Sequence, residues 1–294
     1  MSFAPPSCRL CAGVPAPVFM AGEHRMYKCS SCGSAFVWPV PDDATLARFY
    51  HEYHLVATEG GWYDEVEDRM RADFPAKIAR LRTCSPNGDP GRVLDVGCGK
   101  GFFVRACVDA GLDAQGCDLS ESGTRFARET LKVRAACGLL RDIKHRLTAD
   151  AGPFDTVTFW ATIEHLPHPV ETLRDIFEVL RPGGRLLVDT GIGDDWLDRM
   201  LPGRVQWFDP PQHLFVFSAR GLRIALESAG FRVTLADTCF DRSRARRFAR
   251  RVRNGALAIM LRAGAELGRM RGGAFGFTRY PIGNLQSFVA QRPG

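Results

Sequence analysis

The chain has 294 residues, 45% of them hydrophobic and 24% charged, a composition ordinary for a soluble globular protein. No uninterrupted apolar run reaches membrane-spanning length, which excludes an integral helical membrane protein. The formal net charge is +6, yet the stretch from Asp241 to Arg271 holds ten arginines, no lysine and two acids, so one segment supplies the basic character and the remainder is close to neutral.

The chain opens without a basic region followed by a clean apolar core, so a cytoplasmic protein is expected. Ten cysteines in a chain of this length do not suggest a disulfide scaffold. Four form two close pairs, Cys8-Arg9-Leu10-Cys11 and Cys29-Ser30-Ser31-Cys32, with seventeen residues between them. Two C-x2-C knuckles at this separation match a four-thiolate zinc ribbon, with each pair on a tight turn. A unit this small buries too little apolar surface to be stable alone, so Zn2+ would supply the missing folding energy. Four thiolates leave the metal no open position, and the expected role is structural.

Pro39-Val40-Pro41 ends the ribbon as a stiff linker. From Asp42 to Arg82 the pattern is helical and carries Phe49, Tyr50, Tyr53, Trp62, Tyr63 and Phe74, aromatics suited to a core or an interface. Pro86 to Gly91 is a turn-rich boundary. Strands and helices then alternate: a strand over 92–96, a helix over 102–110 closed by Gly111, and a strand over 114–119. A helix capped by Ser120 follows, then strands over 133–137 and 154–160, a helix over 170–180, and a strand over 185–190. This is the rhythm of a doubly wound parallel sheet. Ser218 caps a helix that ends at Gly230, a strand follows over 233–240, and a last strand over 285–292 is expected to pair antiparallel with it.

The chemistry centres on Val93-Leu94-Asp95-Val96-Gly97-Cys98-Gly99-Lys100-Gly101. A buried strand that breaks into alternate glycines and opens a helix makes a nucleotide-type pocket. Asp118 ends the next strand, where an acid suits two ribose hydroxyls. A dinucleotide fingerprint is G-x-G-x-x-G, whereas these glycines fall as D-x-G-x-G-x-G. An acid before the turn repels a pyrophosphate, but it can orient the turn and approach a cationic amino-acid moiety.

On these residues the chain resembles a class I S-adenosylmethionine-dependent methyltransferase. Asp95 to Gly101 is similar to that superfamily's first motif, Gly116-Cys117-Asp118-Leu119-Ser120 to its ribose-binding strand end, and Phe154-Asp155-Thr156-Val157 to its fourth strand. Leu180-Arg181-Pro182-Gly183-Gly184 resembles the turn before its fifth strand. The resemblance implies a Rossmann-like seven-stranded sheet of order 3-2-1-4-5-7-6 with strand seven antiparallel. The expected organisation is a ribbon over 1–40, a helical cap over 41–90, the cofactor-binding core over 91–240, a basic helical insert over 241–284 and a terminal core strand over 285–294. Trp160 to Pro169, containing Glu164-His165, looks like the E-H-x-x-x-P stretch of small-molecule methyltransferases related to the ubiquinone-type enzymes. Gln206 to Ser218 is similar to the substrate-loop region of a bacterial branch of that group. Members with such a ribbon resemble enzymes that modify activated sugars, glycans and secondary metabolites.

The expected cofactor residues are Asp95, Gly97, Cys98, Gly99, Gly101, Asp118, Leu119, Leu139 and Trp160; the expected zinc ligands are Cys8, Cys11, Cys29 and Cys32. The family's acid after the third strand is missing, so backbone at Leu139 or a displaced Asp142 would meet the adenine. An oxygen or acidic-carbon acceptor must lose a proton, and His165 and His213 are the candidate bases; His168, between two prolines, reads as a solvated turn residue. Asp209-Pro210-Pro211-Gln212 comes too late in the chain to be a base-methylating motif and reads as a rigid loop.

Apolar residues Phe248, Val252, Ile259, Ala263, Leu267 and Met270 recur among the arginines of 242–271, a basic amphipathic pattern. Such a helix would lie on an anionic membrane surface at the inner face of the membrane, or pack on its own domain or a second subunit with its arginines solvated. The acceptor is expected to be a small molecule or glycan. An rRNA methyltransferase is the rival enzyme, disfavoured by the Glu164-His165 stretch and a ribbon poor in basic charge. A non-catalytic cofactor-binding scaffold is the third class, disfavoured by the intact turn and Asp118.

Overall fold

The computed structural model describes residues 5, 7–21, 24–42, 44–46, 48–49, 62–149, 151–194, 207–208, 210, 212–237, 256, 259–260 and 285–294. Nearly all of the basic stretch 242–271 lies outside the described residues, as do Asp209, Pro211, Tyr50, Tyr53 and the 238–240 end of the expected sixth strand.

Two sheets form. The larger has seven strands: β4 (Val93–Val96), β5 (Ala114–Asp118), β6 (Ala135–Cys137), β7 (Phe154–Trp160), β8 (Leu180–Gly191), β10 (Arg232–Asp237) and β11 (Leu285–Gln291). Their order is β10-β11-β8-β7-β4-β5-β6, the expected 3-2-1-4-5-7-6 read from the other edge. β4 to β8 run parallel, and β11 pairs antiparallel with both β8 and β10. The central strands are buried on both faces: Leu94, Phe154, Val157, Phe159, Leu186, Leu187 and Val188 are fully enclosed. Near-continuous apolar runs suit strands covered by helices above and below.

Those helices are α1 (Trp62–Cys84), α2 (Phe102–Asp109), α3 (Glu121–Glu129), α4 (Leu140–Ala149), α5 (Pro169–Val179) and α6 (Ala219–Ser228). Ser120 and Ser218 cap α3 and α6 as expected, accepting the N–H of Gly123 at 3.1 Å and of Gly221 at 2.7 Å. The expected turn over 180–184 lies within β8 as an offset in the ladder. Leu180 pairs with Phe154 and Arg185 with Thr156, so the residues between them loop out where Gly183 takes a positive φ.

The smaller sheet has the order β1-β2-β3-β9 and is formed by β1 (Pro15–Ala21), β2 (His24–Cys29), β3 (Ala35–Val37) and β9 (Phe215–Val216). Its first three strands belong to the cysteine-bearing N-terminal segment and the fourth to the loop before α6. The ribbon is therefore joined to the core by a shared sheet. Phe36 and Phe215 stack at 5.8 Å across that junction, and Phe215 stacks on Phe217 at 5.5 Å.

Candidate active site

The cofactor side is built from strand ends. β4 leads into Gly97, whose φ of +76° and close approach to Thr162 exclude a side chain; a Cβ there would lie 2.4 Å from Thr162. The turn is fixed by its own backbone and one acid. Gly97 and Cys98 donate to the carbonyl of Cys117, and Gly99 donates to Asp118 Oδ2 at 2.8 Å. The other Asp118 oxygen accepts the N–H of Ser120 at 2.8 Å. Asp118 thus ties the first turn to the start of α3 before any ligand arrives.

A cavity of about 430 Å³ opens along these carboxyl ends. Asp95, Gly97, Cys98, Gly99, Asp118, Leu119, Leu139, Trp160, His165 and His213 all line it. Gly101 does not. It begins α2 with φ +81°, and a Cβ there would meet Ala127 at 2.7 Å, so its part is to let α2 and α3 pack closely. Asp142 is a correction: it is exposed beside Arg141 and lies outside the cavity wall, because the first turn of α4 carries it to the surface, while Gly138 and Leu139 line the wall.

Three carboxyl groups sit buried near one another: Asp95, Glu164 and Asp189. Burial pushes Asp95 up to about 7, against a 2.6 Å hydrogen bond from Thr158 and the charge of Lys77. Burial also pushes Glu164 up to about 8 and raises Asp189. Glu164 Oε2 has no hydrogen-bond partner among the described residues. Lys77 answers this acidic cluster. It enters from α1, is itself buried, and sets its ammonium 4.7 Å over the Trp160 ring. Of the expected aromatics, Phe74 lines the cavity and packs edge-on against Phe103 at 5.4 Å. Sequence reading noted Glu164 beside His165 without giving it a role, and it missed Lys77 and Asp189. Those two stand alone in sequence, and only the convergence of α1 with the ends of β7 and β8 brings them to Glu164.

The two candidate bases meet beside Glu164, their ring centroids 4.9 Å apart and their ring nitrogens within 4.8 Å of its carboxyl. His165 Nδ1 bonds the carbonyl of Gln212 at 2.6 Å, and His213 Nδ1 bonds that of Trp207 at 2.9 Å. A carbonyl at Nδ1 selects the tautomer protonated there. Burial lowers both histidines, and His213, which also faces His165, falls to about 3. Both rings are therefore neutral at physiological pH. His168 is a second correction: it is half-buried, precedes α5, and receives Arg9 of the ribbon at 2.6 Å. A solvated turn was expected because nothing local in the sequence announces a partner 159 residues away.

The four ribbon cysteines converge as their spacing predicts. Cys8 and Cys32 sulfurs lie 3.8 Å apart and Cys11 and Cys29 3.5 Å, and all four lie within 4.8 Å of one another. A tetrahedral thiolate site with metal–sulfur bonds of about 2.3 Å needs sulfur–sulfur separations of about 3.8 Å, so the set fits such a metal. Hydrogen bonds from Cys8 and the Ser34 N–H draw the Cys32 thiol down, against burial, which raises it. Among the described residues no helix is long and apolar enough to cross a membrane.

Comparison with known proteins agrees with this geometry. A ubiquinone biosynthesis O-methyltransferase of Bordetella avium is 28% identical over 212 residues, covering 65% of this chain and 83% of that one. One from Methylococcus capsulatus is 32% identical over 124 residues, 38% of this chain and 52% of its own. Among solved structures, magnesium protoporphyrin IX methyltransferase (ChlM) from Synechocystis PCC 6803 with bound SAH aligns with a TM-score of 0.54 at 14% identity, over 85% of this chain and all of that one. The [4+2]-cyclase SpnF aligns with a TM-score of 0.52 at 18% identity, over 87% and 98%. Likeness at these identities shows the fold. The model of the methyltransferase domain family matches residues 66–236, more than half of the chain. The protein belongs to that family, as an enzyme of the class I S-adenosylmethionine-dependent methyltransferase type.

Proposed function

We propose that this enzyme methylates an oxygen or acidic carbon of a small-molecule or glycan acceptor, with the His165–His213 pair taking up the acceptor's proton. The observation that carries the reading is the pair itself. Two neutral imidazoles, each held through Nδ1 by a backbone carbonyl, line the same cavity as the glycine turn. The Bordetella and Methylococcus relatives, named as O-methyltransferases of ubiquinone biosynthesis, support this acceptor class.

S-adenosylmethionine supplies a methyl group on a sulfonium, and the protein's task is alignment and desolvation for an in-line displacement. Asp118 and the glycine turn would hold the nucleoside, with the Asp95 carboxyl oxygens lining the cavity toward its cationic end. The apolar walls from Phe103, Phe159 and Trp160 exclude water. A proton on one ring disfavours a second on its neighbour, so the pair takes up one proton at a time. We also infer that Cys8, Cys11, Cys29 and Cys32 hold a structural zinc.

The test is incubation with labelled S-adenosylmethionine and separate pools of small-molecule, glycan and RNA acceptors. Label is expected in the first two pools. Label in RNA alone would overturn the acceptor assignment. His165→Ala and His213→Ala are expected to keep cofactor affinity and lose about 100-fold or more in turnover. Full turnover in both variants would remove the proton-acceptor role.

A further inference from the structure

We infer that the cysteine ribbon is the buttress of the acceptor wall, with Ser34 and Ser218 as positioning residues that pass its order to His213 and Gln212. This rests on the reading that the histidine pair faces the acceptor. The path is continuous. Cys29 and Cys32 form the second knuckle, closed by hydrogen bonds from the Gly33 N–H to the Cys29 carbonyl and from the Cys29 N–H to the Ser34 carbonyl, both 2.9 Å. The Cys32 carbonyl accepts the Ser218 hydroxyl. Ser34 Oγ accepts the Ser218 N–H at 3.0 Å and donates to Ser218 Oγ at 3.3 Å, and both side chains are fully buried.

From there β3 lays its edge along β9, pairing Ala35 with Val216 and Phe36 with Phe215. Val37 donates to the Leu214 carbonyl at 2.9 Å, and Leu214 donates to the Glu164 carbonyl at 2.8 Å. The next residues toward the N-terminus are His213 and Gln212, whose carbonyl fixes His165. Arg9 in the first knuckle grips His168 at 2.6 Å, three residues beyond His165. The ribbon therefore holds the acceptor wall at two points.

The dependence runs one way because of strand membership. β9 has two residues and its strand partner is β3; the core meets only its flanks, where Leu214 bonds Glu164 and where Phe217 bridges Ile192 and accepts from Gly193 and Gln286. So short a pairing has no stability of its own. The ribbon in turn needs its metal to fold. By contrast, the glycine turn and Asp118 depend on β4, β5, α2 and α3, none of which belongs to the smaller sheet. Loss of metal would free the histidines and leave the cofactor side intact.

The experiment uses the full chain, loaded with Zn2+ and then treated with a thiol-competing chelator. Amide hydrogen exchange is read in peptides covering 212–217 and 93–101, imidazole NMR signals report His165 and His213, and calorimetry gives the S-adenosylmethionine Kd. On metal removal, exchange at 212–217 is expected to rise about tenfold or more and both imidazole signals to move, while exchange at 93–101 and the cofactor Kd stay within about twofold. Ser34→Ala, still binding one equivalent of zinc, should reproduce part of the loosening at 212–217, and Ser34→Thr, which keeps the hydroxyl, should restore protection. Unchanged protection at 212–217 after metal removal overturns the inference. So does a parallel loss of protection at 93–101 with loss of cofactor binding, which would make the metal a prop for the whole fold. If the zinc-loaded protein does not bind the cofactor at all, the methyltransfer reading fails and the buttress is judged on exchange alone.

Discussion

Asp118 accepts the backbone N–H of Gly99 at 2.8 Å, so the acid at the end of β5 shapes the turn at the end of β4. Its second oxygen holds Ser120, the cap of α3. One side chain therefore joins two strands and a helix at the mouth of the cavity. Asp118→Ala is expected to weaken S-adenosylmethionine binding by about 100-fold, because the lost ligand contact adds to the cost of a turn whose Gly99 N–H has lost its acceptor. Asp118→Asn keeps an acceptor and should lose less. Calorimetry on both variants checks this, and equal losses would count against the turn-shaping role.

Glu164 gives a prediction in pH. Its carboxyl stands at about 8 in the fold, above the usual 4.5 for glutamate, through burial first and the charge of Asp189 second. A group that binds its proton more tightly when folded stabilises the fold below the unfolded pKa, and that contribution is lost as pH rises through the folded pKa. Glu164→Gln removes this dependence. Between about pH 5 and pH 8 the variant should lose on the order of 2 kcal/mol less stability than the parent. Urea titrations at several pH values measure the difference, and parallel curves for the two proteins would contradict it.

Gly101 and Gly111 separate backbone strain from crowding. Both have φ near +80°, yet a Cβ at Gly111 meets nothing within 4 Å, whereas one at Gly101 lies 2.7 Å from Ala127. Gly111→Ala should cost about 1 kcal/mol from the left-handed conformation alone. Gly101→Ala adds overpacking between α2 and α3, for a total of about 3 kcal/mol. Thermal unfolding of the two variants provides the comparison.

Phe215 fills the junction between the two sheets, 1% exposed and stacked on both Phe36 and Phe217. Phe215→Ala is expected to destabilise the protein by about 3–5 kcal/mol. Phe215→Leu, which keeps most of the volume, should cost less than half as much. Denaturant midpoints decide between this junction and a loosely tethered ribbon, for which both variants would be nearly silent.

The main sheet was legible in the sequence because its information is local. Apolar runs such as Val93–Val96 and Phe154–Trp160, punctuated by glycines and by the caps Ser120 and Ser218, specify strands, helices and their order. The cysteine pairs were legible for the same reason, since each knuckle is a short turn. Distant partnerships were not. Arg9 and His168, Lys77 and Trp160, and Ser34 and Ser218 are joined only when separate segments meet. The partners lie far apart in sequence, so no spacing rule marks them. The two-residue β9 is too short for any alternation to show.

The place of β11 bears on how the molecule comes to be folded. Residues 285–291 form neither edge of the large sheet; they lie between β8 and β10, bonded to both. β10, made some fifty residues earlier, has no slot in the sheet until β11 fills the gap beside β8. A growing chain must therefore keep β8 and β10 apart, each with an open edge, until synthesis has passed Gln291. Such late, long-range closure slows folding and leaves sticky edges exposed meanwhile. Chains stopped before residue 285 are expected to aggregate under conditions in which the full chain folds.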